Sequence, residues 1–528
     1  MAALSNLIST GRITDQGADA DAYPCYAGAG YDSRDCQQIQ KYYNRPGFLI
    51  GKAGSMQAFN WEDLGNQRCT LEGANEWNMQ CQFGRTPAFA VDVHVPDDIQ
   101  KALAFASQHN LRVVIKSTGH DYFGRSTAPG ALLIWLHNFQ GQLETKMTFT
   151  PSGCDASSQT VDPVITVTGG KTWDDVYPKV DQDFNGKYCI VAGYCIDIGA
   201  AGGYTLGGGH SILSTVFGLA VDNVLEMTVV TADGQLLTAN SCQNKDLFWA
   251  LRGGGGGTFG VVTSITFDAA GWGGYHFYNP AFGFSFMFLK LADAGSTRAS
   301  PPFDQLLKEF TDMEVASRVL ARPFANVGTY YKHYDRLECA DVFLRQDWRS
   351  WSDTTGIYDG FYAGSRVALG SRLIPVTSLV QSRTTAQTIL AGASKLGQLA
   401  TFGFLHINGN GVRNNPHAAD TSVTPAWRKS GWHAILVTGW DGSTSEEDIA
   451  FVKGLLESGT QVWRDAYPDS GAYFNEASTT EPNWQQAFWG SNYPRLQQIK
   501  KTVDPNGMFV CSQCVGSESW DATGNCRI

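Results

Sequence analysis

Apolar residues along this chain follow two rhythms, and the switch between them is clearest near residue 90. The stretch AVDVHV (90–95) alternates apolar and polar side chains as a half-buried strand does. PDDIQKALAFASQHN (96–110) opens on Pro and Asp, then spaces its apolar residues for one face of a helix. LRVVIK (111–116) is a β-branched run. This order predicts a right-handed βαβ unit. Strands are expected again at 131–136 and 164–170, a short helix at 171–182, and a hairpin with an Asp-Gly turn at 224–240. A helix over 245–253 ends in glycines, and a strand follows at 259–267. These elements form one mixed block, preceded by an irregular N-terminal segment. From about 275 strand-like aromatic runs such as YHFYN, FSFMFLK, AGSRVAL, TFGFLHING and WHAILVTGW alternate with helical stretches such as FDQLLKEFTDMEV and EEDIAFVKGLLESGTQVWRDA. That pattern predicts an antiparallel sheet covered by helices. A last helix, YPRLQQIKKTV, stops at DPNG, and the tail is free to rejoin the first block. The expected divisions are 1–83, 84–272, 273–483 and 484–528, and the fold class is α+β.

Composition narrows the field. The chain is 43% hydrophobic and 17% charged, enough to bury large cores. Its net charge of −11, with no long basic run, argues against nucleic acid as a partner. No stretch is apolar for long enough to span a bilayer, no signal peptide is legible, and no N-x-[ST] sequon occurs. The compartment stays open: secreted if a leader has been removed, otherwise intracellular. Cys25, Cys36, Cys69 and Cys81 in the N-terminal loops, and Cys511, Cys514 and Cys526 in the tail, suit either disulfides or idle thiols. A zinc site at Cys511 and Cys514 lacks a second ligand pair.

The 58 glycines are not spread as a linker but gather in three segments. The first is Lys116-Ser117-Thr118-Gly119-His120-Asp121-Tyr122, directly after a strand, where amides and hydroxyls can form an anion nest. His120 in such a nest lies near a bound cofactor or else bonds its own loop. The second runs from Gly193 through Cys195, Ile198, Gly199, Gly202, Gly203, Gly207, Gly208 and Gly209 to Ser211. So many small residues let main chain lie against a planar ring. Cys195 is there either a nucleophile or a small buried hydrophobe. The third, Arg252 to Gly260, contains Gly255-x-Gly257-x-x-Gly260 and so matches a dinucleotide fingerprint literally. That fingerprint needs a strand before and a helix after; here the order is reversed, which excludes a nicotinamide site. Gly256 and Gly257 remain available to line a flat cofactor.

Five motifs in order, IKSTGHDYFGRS, GYCIDIGAAGGYTLGGGHS, DLFWALRGGGGGTFGVV, YFNEA and NYPRLQQIKKTVDPNGMF, resemble the berberine bridge enzyme-like branch of the FAD-linked oxidoreductases, in the vanillyl-alcohol oxidase superfamily. The form is closest to fungal members. The resemblance implies a two-part PCMH-type FAD-binding domain, a substrate domain of antiparallel sheet covered by helices, and a C-terminal segment returning to the first. It implies FAD bonded covalently through His120 and, in bicovalent members, also through Cys195. Ser117 to Tyr122 correspond to the pyrophosphate loop, Gly199–Gly209 and Gly253–Gly257 to stretches close to the isoalloxazine, and Asn475 to an asparagine near the flavin.

Three departures carry consequences. Ile196 stands where a proline usually follows the cysteine, which leaves one or two covalent bonds open. Glu476 stands where many plant members place a catalytic tyrosine. If it faces the substrate, burial would raise its pKa and make it the general base; the alternative is a carboxylate solvated at the rim or paired with an arginine. Ile198 occupies a position that governs oxygen access and is bulkier than the permissive valine. The expected reaction is hydride transfer from a C–H of an alcohol, sugar or secondary metabolite to flavin N5, with reoxidation by dioxygen, giving hydrogen peroxide, or by another acceptor. The rival is a flavin-binding protein of the same fold without turnover. Trp348, Trp351, Trp427, Trp432, Trp440 and Trp463 suit either ring stacking or core packing, and His406 and His417 are candidates for the substrate wall.

Overall fold

The computed structural model describes residues 12–15, 22–27, 31–271, 286–290 and 363–528, with short interruptions. Helix Pro96–Gln108 forms where expected, with Pro96 in its first turn and the Asp98 carboxylate accepting the amides of His94 and Val95. Its apolar stripe, Ile99, Ala102, Leu103 and Ala106, is fully buried against the first sheet. That sheet has four strands. Phe89–Asp92 and Val113–Lys116 both run parallel to Leu132–Trp135, which lies between them, and Arg12–Asp15 adds an antiparallel edge. A central parallel strand is covered on both faces, which is why Leu132–Trp135 is apolar throughout and wholly buried.

The second sheet is antiparallel, in the order Glu144–Lys146, Val164–Thr168, Val261–Asp268, Val224–Val230 and Leu236–Asn240. Asp233-Gly234 closes the expected hairpin, with Gly234 at φ +79°, a conformation an L side chain resists. The third sheet belongs to the second domain. Its order is Phe286–Lys290, Ala400–Leu405, Ser430–Trp440, Arg366–Pro375, all antiparallel, with Ser382–Ser394 and Glu446–Ala466 packed over it. The architecture is the expected α+β arrangement. YHFYN, FDQLLKEFTDMEV, Trp348, Trp351 and His406 lie outside the described residues.

The C-terminal part crosses back. Ala472, Phe474, Phe488, Trp489 and Leu496 enter the same core as Ile165, Trp173 and Phe248, so the return already begins near 472. Helix Tyr493–Val503 ends as Asp504 accepts the amides of Met508 and Phe509 and the ammonium of Lys500. The Met508 carbonyl then accepts the Val113 amide, stitching the tail to the first sheet.

Disulfides join Cys25 to Cys36, Cys69 to Cys81, Cys154 to Cys242, and Cys511 to Cys514. The idle-thiol reading therefore fails for these cysteines, and so does zinc at Cys511 and Cys514. Cys526 is exposed and outside these bonds. No helix among the described residues is long and apolar enough to cross a membrane.

Candidate active site

The loop after Val113–Lys116 meets the second glycine segment directly. The Gly199 amide donates to Thr118 Oγ1 (3.2 Å), Ser117 Oγ donates to the Gly169 carbonyl (3.3 Å), and Gln57 Nε2 donates to the Thr118 carbonyl (3.2 Å). A Cβ at Gly199 would lie 2.0 Å from Ser117 Oγ, so only glycine permits this approach. The contact brings His120 Nε2 within 2.6 Å of Asp197 Oδ2. Both side chains are largely buried, and Asp197 Oδ1 has no partner among the described residues. Cys195 lies two residues before Asp197, half-buried and not in a disulfide.

Two residues expected at the cofactor are used otherwise. Lys116 is fully buried and sets its ammonium on the Lys52 carbonyl at 2.6 Å and the Leu49 and Ala53 carbonyls at 3.4 Å. An unsatisfied buried ammonium is too costly to leave in a core, and these carbonyls satisfy it. Asp121 accepts the amides of Phe123 and Arg125 and a two-point contact from the Arg125 guanidinium, which lies between the Phe123 and Phe474 rings. Its carboxylate shapes the loop. Tyr122 packs at the edge of the core.

The opposite wall is built by close backbone approaches. A Cβ at Gly256 would lie 2.7 Å from Gly203 Cα, and one at Gly202 3.2 Å from Ser117 Cβ. Asn475 Nδ2 donates to the carbonyls of Gly203 (3.1 Å) and Tyr204 (3.3 Å) and to Tyr473 Oη (2.8 Å). By contrast, a Cβ at Gly203 or Gly257 would meet nothing within 4 Å. Together with Asp197 Oδ1, which has no partner among the described residues, these open glycine faces fit a flat, polar-edged cofactor. Ile198 is half-buried against the core beside Trp173, whose amide donates to its carbonyl.

At the end of the glycine run sits a cluster that the sequence reading had only in part. Glu476 accepts from His210 Nε2 at 3.1 Å and from His433 Nε2 at 3.0 Å. His210 follows Gly209 directly, and His433 projects from strand Ser430–Trp440. Tyr473, whose hydroxyl accepts the Gly209 amide, and Trp427 pack against both imidazoles, with ring centroids 5.3–6.4 Å apart. The expected rise in the Glu476 pKa does not occur. Burial pushes the carboxyl up, but the charge and hydrogen bonds of the two imidazoles outweigh it and hold it well below the ordinary carboxylate range. Its partners are imidazoles rather than an arginine. Burial holds His433 below the usual imidazole value despite its bond to Glu476.

The other candidates sort plainly. His417 is exposed and paired with Asp420, so it lines no wall. Trp463 and Trp432 are core residues of the second domain, and Trp440 carries Lys453 over its ring. His210, His433 and Asp197 were missed as functional residues. His210 and Asp197 stood inside quoted motifs, and His433 was one polar residue in a mostly apolar strand.

Comparison with known proteins agrees with this geometry. A family model described as FAD binding domain matches residues 87–240, and one described as Berberine and berberine like matches 472–516. FAD-linked oxidoreductase ZEB1 of Gibberella zeae is 34% identical over 527 residues, covering 93% of this chain and 86% of its own. VAO-type flavoprotein oxidase VAO615 of Thermothelomyces thermophilus is 32% identical over 531 residues, covering 94% and 88%. Among crystal structures, VAO-type flavoprotein MtVAO615 from Myceliophthora thermophila C1 superposes with a TM-score of 0.78 at 26% identity, covering 100% of this chain and 97% of that one. MtVAO713 from the same fungus gives 0.81 at 24% identity, covering 98% and 95%. The chain belongs to the VAO-type, berberine bridge enzyme-like FAD-linked oxidoreductases and is an FAD-dependent oxidase or dehydrogenase.

Proposed function

We propose that this enzyme holds FAD covalently through His120, with Cys195 as a second attachment, and oxidises a C–H bond of an alcohol, sugar or secondary metabolite. Bound FAD supplies the electron sink at N5, and dioxygen or another acceptor takes the electrons onward. The observation that carries the reading is the 2.6 Å pair between His120 Nε2 and Asp197. An ionised carboxylate only accepts, so the imidazole hydrogen sits on Nε2 and Nδ1 keeps the lone pair that a bond to the cofactor needs. Ser117, Thr118 and Gly119 offer hydroxyls and amides to a pyrophosphate, while Gly199, Gly202, Gly203, Gly207, Gly208, Gly209, Gly256, Gly257 and Asn475 form the walls for the ring system. Ile198 narrows the approach of dioxygen. The Glu476 cluster, at the far end of the same wall, handles the proton that the substrate loses. Four disulfides support an oxidising compartment.

The test is intact mass after acid denaturation, for wild type, His120→Ala, Cys195→Ala and the double variant. The expected wild-type mass exceeds that of the bare chain by one FAD, and the double variant loses it. Retention in both single variants with loss only in the double establishes two bonds, and loss with His120→Ala alone establishes one. A wild-type mass equal to the bare chain, from protein that is yellow before denaturation, refutes covalent attachment. Bleaching of that yellow colour by a panel of alcohols and sugars then sorts the donor class.

A further inference from the structure

Glu476 is in the right place for a base but in the wrong state. A proton acceptor works best when its pKa lies near the operating pH, and a carboxylate held far below its ordinary range by two imidazoles is a poor one. The hydrogen bonds identify a better acceptor. Because Glu476 can only accept, both imidazoles must present Nε2–H to it, at 3.1 Å from His210 and 3.0 Å from His433. In its neutral form each ring is thereby left with its lone pair on Nδ1. In His433 that atom is sealed in the interior with no partner among the described residues, so it can neither meet a substrate nor pass a proton on. His210 is only partly buried, and its Nδ1 carries no bond among the described residues. Its ring is fixed by Glu476 on one side and by the Tyr473 and Trp427 rings, while the Tyr204 hydroxyl donates to its carbonyl.

We propose that His210 takes the substrate's proton on Nδ1, with Glu476 and His433 as positioning residues that fix its tautomer and orientation. The inference rests on the oxidation chemistry proposed above. The donor's O–H proton passes to His210 Nδ1, the O–H electron pair becomes the new C=O bond, and the C–H pair leaves as hydride to the flavin. The donor thus loses two electrons, and the flavin gains them. The resulting imidazolium faces the Glu476 carboxylate, so the cluster passes from net negative to neutral as the proton arrives. Direct protonation of Glu476 would instead remove the charge that holds both rings.

Two measurements test this on the yellow holoprotein. Diethyl pyrocarbonate, which acylates imidazole nitrogens with an open lone pair, is applied and the labelled histidines are located by peptide mass spectrometry. His210 labels and His433 does not, and Glu476→Gln changes His210 labelling several-fold because the acceptor that fixes its tautomer is lost. Labelling of His433 in preference to His210, or labelling of His210 indifferent to Glu476→Gln, overturns the assignment, and this arm needs no donor. In the second measurement, His210→Gly and His210→Asn slow bleaching by a wild-type donor about 100-fold or more while keeping absorption near 450 nm, and added imidazole restores the rate in His210→Gly alone. Bleaching within about threefold of wild type, against that 100-fold expectation, or no rescue, overturns the role with the flavin reading intact; a colourless wild type overturns the flavin reading itself. The three donor atoms lie within 4.8 Å of one another, so one tightly held divalent cation that Glu476→Gln removes would make the cluster a metal site and also overturn the role.

Discussion

The wall formed by Asn475 and Gly207 offers a sharp test of whether these glycines are dictated by contact. A Cβ at Gly207 would lie 2.3 Å from Asn475 Oδ1, 2.6 Å from Nδ2 and 2.7 Å from Cγ. The amide cannot swing aside freely, because Nδ2 is bonded to the Gly203 carbonyl, the Tyr204 carbonyl and Tyr473 Oη. Gly207→Ala therefore forces Asn475 out of its place and forfeits the bonds of its two N–H donors, at about 0.5–1.5 kcal/mol each, or about 1–3 kcal/mol in all. Unfolding entropy of about 2.1 cal/mol/K per residue over 528 residues gives about 1.1 kcal/mol/K, so calorimetry of the holoprotein should show Tm lower by about 1–3 °C. Asn475→Ala loses the same bonds and clears the space that the new methyl needs. The double variant should then be no less stable than Asn475→Ala, a strong negative coupling in a double-mutant cycle. A Gly207→Ala variant within about 0.5 °C of wild type, well inside the shift such a loss predicts, or two additive penalties, would refute the argument.

Other consequences follow from the buried charges. Burial holds the folded His433 below the usual imidazole value, whereas an imidazole in the unfolded chain binds a proton below about pH 6.5. Stability should accordingly fall as pH drops from 7 to 5, and His433→Gln should flatten that slope; melting curves across this range check it, and an unchanged slope rejects it. Glu481 is fully buried between two guanidiniums, 2.6 Å from Arg464 Nη2 and 3.4 Å from Arg372 Nη1. Glu481→Ala leaves buried Arg372 without its counter-charge and Arg464 with Glu457 alone, which costs about 3–5 kcal/mol and lowers Tm by a comparable number of degrees. A loss below about 1 kcal/mol would show that water reaches the pair.

Much of the scaffold was legible because local rules and tertiary packing agree there. The helix Pro96–Gln108, the Asp-Gly hairpin and the last helix Tyr493–Val503 each carry their own start, stop or turn chemistry. The loop at 117–122 and the glycine segment at 199–209 were recognised separately, and the Thr118–Gly199 bond brings them together. What periodicity could not supply was direction over long separations. Lys116 stands at a strand end, where a loop contact is natural, yet its ammonium reaches carbonyls more than sixty residues earlier. Likewise, the Cys154–Cys242 bridge spans 88 residues between two stretches with no spacing signature. His433 is one residue of an apolar strand, and nothing in that strand says that its inward face meets a carboxylate 43 residues on.

The cleft uses one device twice. At one end Asp197 takes the Nε2 hydrogen of His120, and at the other Glu476 takes that of His210. In each case an acceptor-only group decides which imidazole nitrogen stays bare. The difference lies in what shares the carboxylate. The described partner of Asp197 is a single ring, which suits the attachment proposed for His120 and its one bare nitrogen. Glu476 also holds the sealed His433, whose N–H helps keep the carboxylate ionised while another group cycles between protonated and bare. A tyrosine at 476 could give and take a proton by itself, but a glutamate so anchored cannot, and the proton-accepting task then falls to the imidazole it orients. Glutamate at this position and histidine after the glycine run are thus two halves of one chemical solution.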